Sequence, residues 1–214
     1  MSAEKYQNKY RIASARMKNY DYASNGAYFI TIVTKNRDHF FGDIEDNTMI
    51  LNEIEKIAWK YLGEIPRHFP FIRLDEMVVM PNHIHGILWI DNDDPGGGDV
   101  HGRDVACNVS THNANMGNVN IGNVHTHHAH TGKTKNKQMA KISPKYGSLA
   151  SVIRSYKSVV TKNSREFDGD FAWQSRYYDR IIRDENELNR IREYIIKNPE
   201  MWHRDRNNVD FVEW

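Results

Sequence analysis

The chain is poor in cysteine. Cys107 stands alone in a polar tract, which excludes a disulfide framework and a cysteine-based metal centre. Long apolar runs are missing too. No stretch approaches the ~20 residues of a membrane span, and the charged N-terminus MSAEKYQNKYRIASARMKNY lacks the apolar segment of a signal peptide. A cytoplasmic setting is therefore expected. The third absence is of acid. The whole chain is nearly neutral, with 29 basic and 28 acidic residues, yet no Asp or Glu occurs from Val105 to Arg165, where nine lysines and arginines run from Lys133 onward. Such segregation builds a local positive field on a protein with little net charge.

What is present reads as one domain, residues 1–214. Ala27–Lys35 (AYFITIVTK) is rich in β-branched and aromatic residues and predicts a buried strand. Met49–Leu62 carries apolar residues at helical spacing. Pro66 and Pro70 are expected to break the chain before a second strand, Phe71–Met80. Pro81-Asn82 then punctuates the start of a third, His83–Ile90, so that the two form an antiparallel hairpin.

Beyond Ile90 the character changes. Residues 92–142, rich in Asn, Gly and His, lack the apolar content for a core and read as a long disordered insertion. Order resumes with a helix over about Gly147–Asn163 and a strand over Phe171–Arg183. A last helix follows, with Asp184 as N-cap, Glu187 at capping-box spacing and a buried stripe of Leu188, Ile191 and Ile195. It should end near Asn198-Pro199, because the residue before proline disfavours helical conformation. The tail, Glu200–Trp214, holds three large aromatics and is expected to pack back onto the domain. The order β-α-β-β-(insertion)-α-β-α predicts an α+β fold, an antiparallel sheet with helices packed on one face.

The other face would carry the chemistry. Residues two apart on a strand share a face, so His83 and His85 point together, with Ile87 and Trp89 beyond them. Two imidazoles are two-thirds of a metal site. Tyr194 and Asn198 lie four apart on the last helix, hence on one helical face. The Asn198 amide oxygen can complete a two-imidazole site for a hard divalent cation such as Mg²⁺ or Mn²⁺. The Tyr194 phenol is then held one turn away.

His83-Ile84-His85, Trp173-Gln174, Asp179, Ile182-Arg183 and Tyr194-Ile195-Ile196-Lys197-Asn198-Pro199 together resemble the single-tyrosine HUH transposases, most closely the REP-associated tyrosine transposases. The resemblance spans about Asp21–Trp202, with residues 92–142 as an insertion. It implies a ferredoxin-like sheet with the catalytic tyrosine on the last helix. It also implies cleavage and rejoining of single-stranded DNA folded as hairpins. Tyr194 would be the nucleophile, leaving a 5′-phosphotyrosine and a free 3′-hydroxyl, and His83, His85 and Asn198 would hold the divalent metal. Arg154, Lys157, Arg176 and Arg180 are candidates for phosphate contacts, and Tyr177 or Tyr178 for stacking on an unpaired base. Action would be at the bacterial nucleoid, and monomer and homodimer both stay open.

Other chemistries fit less well. A metallo-β-lactamase-like site wants an Asp-His soon after the pair, where Gly86, Ile87 and Leu88 stand. A cupin wants a nearby Glu, and an amidohydrolase needs a barrel of about 250 residues. The reading from a different class is a domesticated, non-catalytic single-stranded nucleic-acid-binding module. Nothing in that reading requires Tyr194 or Asn198.

Overall fold

The computed structural model describes residues 20–46, 48–92, 144–145 and 147–208, with two short paired strands at Lys5–Tyr6 and Lys9–Tyr10. Apart from Asn92, the expected insertion 92–142 lies outside the described residues, as does the tail beyond Asn208. The elements are β1 (Gly26–Val33), β2 (Gly42–Glu45), β3 (Thr48–Leu51), α1 (Glu53–His68), β4 (Ile72–Met80), β5 (His83–Ile90), α2 (Leu149–Ser164), β6 (Tyr178–Ile182) and α3 (Glu185–Lys197).

Four strands make one antiparallel sheet in the order β4-β5-β1-β6, while β2 and β3 form a separate ribbon. With α1 between β1 and β4 and α2 between β5 and β6, this is the split β-α-β topology of ferredoxin-like folds. The two central strands, β5 and β1, are the most apolar, as strands covered on both faces must be. Along β5 the side chains sort as alternation requires. Ile84, Leu88 and Ile90 enter the large core under α1 and α2, whereas Ile87 and Trp89 join a smaller cluster under α3. Gly86 interrupts the run because the Met77 thioether crosses there. A Cβ at 86 would sit 2.2 Å from its sulfur.

Helices α1 and α2 pack on each other and on the sheet through Ile54, Ala58, Leu62 and Ile65 on one and Val152, Ile153, Tyr156 and Val160 on the other. Across that contact the buried Tyr156 hydroxyl donates to the Ala58 carbonyl at 3.2 Å. The third helix does not join them. Its stripe of Leu188, Ile191 and Ile195 lies against Ala27, Phe29 and Ile87 on the opposite face. Helices therefore cover both faces rather than one, since the histidine side of β1 and β5 also carries apolar residues that need a cover.

Three local expectations are corrected. Met49–Leu51 is strand, not helix, because it pairs with Gly42–Ile44, and α1 starts only after Asn52, whose side chain caps it by accepting from the Glu55 N–H at 2.8 Å. Pro66 does not end α1, which runs on to His68. So near a C-terminus the missing N–H removes a single helical hydrogen bond. The strand expected over Phe171–Arg183 shortens to Tyr178–Ile182, preceded by one isolated bridge between Trp173 and Thr34. Phe171 and Trp173 instead turn inward as a cluster of rings with Phe41.

Candidate metal and tyrosine site

Hydrogen-bonded neighbours on both sides fix the backbone of His83 and His85. On β1 the partners are Val33 and Thr31, and on β4 they are Met80 and Val78. Register then supplies the first support: Thr31, directly opposite His85, places its hydroxyl 2.9 Å from His85 Nδ1. Both imidazoles are buried, with ring centres 4.4 Å apart. Phe29 stacks on His85 at 5.3 Å and Trp202 on His83 at 6.0 Å.

Helix α3 delivers the rest. Its N-terminus is capped as expected, the Asp184 carboxylate accepting from the Glu187 N–H at 2.8 Å. Along its length a fork of hydrogen bonds ties it to β4. Arg192 donates to both oxygens of Asp75, at 2.8 and 2.7 Å, and the Trp89 indole donates to the same carboxylate at 3.0 Å. The Arg192 guanidinium beside Asp75 holds that carboxyl well below the usual range, outweighing the opposing effect of its burial. So anchored, α3 brings the half-exposed Tyr194 hydroxyl 3.1 Å from His85 Nε2. The Asn198 amide, one turn on, is buried beside it.

A fourth group comes from beyond the helix. A short helical turn at Trp202–Arg204 reverses the chain, and Asp205 follows it into the site. Its Oδ1 accepts from the Asn207 N–H at 2.6 Å, an Asx turn that fixes the carboxylate. Its Oδ2 accepts from Tyr194 at 3.5 Å and from Asn198 Nδ2 at 3.4 Å, and lies 3.9 Å from His83 Nε2. Sequence reasoning misses Asp205. The available signal was the turn-prone run Asp205-Arg206-Asn207-Asn208 shortly after a helix that presents Asn198.

The electrostatics follow from burial. Both histidines are kept neutral: His83 is held well below its ordinary value, first by burial and then by the charges of His85 and Arg37. Burial brings His85 down to about 4 against the opposing pull of Asp205. Tyr194 is pushed up to about 12, by burial and then by the Asp205 charge. His83 Nε2 and Asn198 Oδ1 are among the described buried side-chain atoms with no hydrogen-bond partner. Orphaned buried acceptors are costly, and both residues border the Asp205 carboxylate, whose Oδ2 lies 3.9 Å from His83 Nε2 and 3.4 Å from the Asn198 amide nitrogen. Ligand atoms of His83, His85 and Asp205 all lie within 4.8 Å of one another. Two neutral imidazoles, an amide oxygen and a carboxylate are a donor set that fits a divalent cation.

The six residues expected to touch DNA divide between the faces. Tyr178 packs edge-on against Phe29, and Arg180 pairs with the buried Glu187 of α3 at 2.6 Å, both on the histidine side. Arg154 and Lys157 lie on α2, across the sheet. Lys157 is half-buried, brought down by that burial to about 8, and donates to the Gln174 carbonyl at 2.5 Å and, more weakly, to that of Arg176 at 3.5 Å. Arg176 is exposed in the segment before β6, and the half-buried Tyr177 packs against the large core.

No family model matches the chain. Two solved structures are similar to it at modest overlap. A REP-associated tyrosine transposase bound to a REP hairpin is 14% identical, with a TM-score of 0.47 and 95% of each chain covered. A putative transposase from Deinococcus radiodurans is 12% identical, with a TM-score of 0.37 and coverage of 86% of this chain and 97% of that one. In sequence, an uncharacterised protein of Haemophilus influenzae is 35% identical over 201 residues, 92% of this chain and 93% of that one. The chain belongs to the same family as that Haemophilus influenzae protein.

Proposed function

We propose that the protein is a metal-dependent tyrosine transposase that cleaves and rejoins single-stranded DNA folded as a hairpin. One observation carries the reading: the Tyr194 hydroxyl stands 3.1 Å from His85 Nε2, beside the buried and partnerless His83 Nε2 and Asn198 Oδ1. A phenol beside a ready cation site is the arrangement that a phosphotyrosine reaction needs.

His83, His85 and Asn198 would hold a divalent ion, with Asp205 as a further ligand that the motif alone does not supply. Such an ion, Mg²⁺ or Mn²⁺, supplies charge that stabilises a phosphate oxygen and favours the phenolate. Tyr194 needs that help, because a hydroxyl held near 12 is almost wholly protonated at neutral pH. In the reaction, Tyr194 Oη attacks the scissile phosphorus. The new bond is Oη–P, the bond to the 3′ oxygen breaks, and that oxygen leaves as a 3′-hydroxyl once it has gained a proton. Rejoining reverses the exchange, with a 3′-hydroxyl displacing Tyr194. The 5′-phosphotyrosine conserves the bond energy, so no nucleotide cofactor is required.

Tyr178 and Arg180 share the face of Tyr194 and are assigned to the strand near the scissile phosphate. Arg154, Lys157 and Arg176 are assigned to phosphates further along the hairpin, and Tyr177, packed inward, is the least suited of the six to stack on a base. The test is a denaturing gel with labelled single-stranded hairpins from the flanks of the gene, with and without Mn²⁺. A covalent adduct that requires the metal and disappears in Tyr194→Phe and His83→Ala is expected. Binding of several hairpins with no adduct would replace this reading with the non-catalytic binding module.

A further inference from the structure

The β4–β5 turn consists of Pro81 and Asn82, and Asn82 is fully buried. Its carboxamide meets three groups. Nδ2 donates to the Arg37 carbonyl at 3.0 Å and to the Asn207 carbonyl at 2.8 Å, and Oδ1 lies 2.9 Å from His83 Nδ1. Backbone carbonyls only accept, so these two fix which end of the amide carries nitrogen. The oxygen is then the end facing the imidazole. An amide oxygen cannot donate, so His83 Nδ1 must carry the proton. A neutral imidazole has one such proton, and Nε2 is left as a bare lone pair.

That atom is buried with no hydrogen-bond partner among the described residues, and it lies 3.9 Å from Asp205 Oδ2. Two electron-pair donors facing each other with no hydrogen between them need a positive charge. His85 Nδ1 faces the Thr31 hydroxyl, which can donate or accept, so that contact by itself sets no tautomer.

We propose that Asn82 is a positioning residue that sets the Nδ1–H tautomer of His83 and joins that ligand to the two loops bordering the site. One loop is the turn at Lys35–Arg37, where Asn36 and Arg37 both adopt left-handed backbone, with φ of 56° and 64°. Such conformations cost energy in residues other than glycine and persist only where the surroundings hold them. Asn82 holds this turn twice, since its own carbonyl also accepts from the Thr34 N–H and hydroxyl, each at 2.9 Å. The other loop is the Asx turn of Asp205, reached through the Asn207 carbonyl. One side chain thus orders the histidine, the carboxylate and the strained turn. The inference about metal affinity rests on the proposed function, whereas the tautomer does not.

The test is long-range ¹H–¹⁵N correlation on metal-free protein labelled at histidine nitrogen, at pH 8, with His83→Gln used to assign the signal. Wild-type His83 should be in the Nδ1–H form. In folded Asn82→Ala that preference should be lost, and Mn²⁺ affinity, read by electron paramagnetic resonance, should fall about 10- to 100-fold. Asn82→Asp keeps an oxygen against Nδ1 but loses both donors, so it should retain the Nδ1–H form while its melting temperature drops. Three results would overturn the proposal: an Nε2–H form in the wild type, an unchanged tautomer with Mn²⁺ affinity within about twofold in Asn82→Ala, or loss of the Nδ1–H form in folded Asn82→Asp. A wild-type Nδ1–H form in a protein that takes up no Mn²⁺ and forms no DNA adduct would sink the proposed function and leave the tautomer assignment standing.

Discussion

The two faces of β5 are built from neighbouring residues and obey opposite rules. On one face Ile84, Leu88 and Ile90 merge into the core beneath α1 and α2, where apolar contact is continuous and polar atoms are few. On the other, His83 and His85 are equally buried, but their ring nitrogens meet a hydroxyl, a carboxamide, a phenol and a carboxylate. Among the described residues the buried apolar cluster on that side is Ala27, Phe29, Ile87, Leu188 and Ile195, with Val78, Trp89, Ile182 and Ile191 half-buried around it. The first face stabilises the fold. The second is tolerated by it, because the large core already supplies the burial that a small domain requires. That is why α3 needs the Arg192–Asp75–Trp89 fork: with so few apolar residues beneath it, directional bonds set its position, and with it that of Tyr194.

The sharpest way to break this comparison is Tyr194→Phe. Loss of one half-exposed hydroxyl should abolish covalent adduct formation on a denaturing gel, while stability in urea stays within about 0.5 kcal/mol. A variant that unfolds would show that the site face is structural after all.

Paired truncations on opposite faces come next. Leu88→Ala should cost about 2–5 kcal/mol, a large share of the roughly 5–15 kcal/mol that holds a domain together. His85→Ala in metal-free protein should cost clearly less, yet remove Mn²⁺ binding in a titration calorimeter. Equal costs in urea melts would erase the distinction between the faces.

Acid should act on the site face first. A histidine whose folded value lies below its unfolded value of about 6.5 binds protons more readily when unfolded, so stability rises with pH. For His85, at about 4 when folded, the contribution is complete above pH ~6.5 and is lost progressively as pH falls toward ~4. Thermal melts of metal-free protein should fall through that window, and His85→Gln should flatten the fall.

The smallest effect is expected at the fork. Asp75→Asn should lower the melting temperature modestly, and the difference from wild type should be constant above pH ~4. The carboxyl is depressed when folded, so its contribution is present above its unfolded value and fades only at lower pH, as the folded form takes up its proton. A difference that is already gone at pH 6 would refute the ion pair. Adduct yield should drop with it if the fork places Tyr194.

Much of this was legible in the chain, for identifiable reasons. Period-two alternation in His83–Ile90 assigned every side chain of β5 to its face, because both neighbouring strands lock the pleat. The capping pair Asp184 and Glu187 gave the start of α3, a purely local interaction. Where the reading slipped, a non-local partner had intervened. Met49–Leu51 has helical spacing but finds a strand partner in Gly42–Ile44. Phe171–Tyr177 has strand-like composition, but ring packing with Phe41 outcompetes a ladder.

The sequence by itself determined the order of the four sheet strands and three long helices, the shared face of the two histidines and the one-turn spacing of Tyr194 and Asn198, since each follows from the periodicity of single elements. Tertiary structure decided on which side of the sheet α3 lies, that Asp205 enters the site, and that Asn82 faces His83 with its oxygen. Those depend on hydrogen bonds between segments as far apart as Arg37, Asn82 and Asn207. No local pattern encodes them, because each partner is chosen by where the folded sheet and helices bring the chain together.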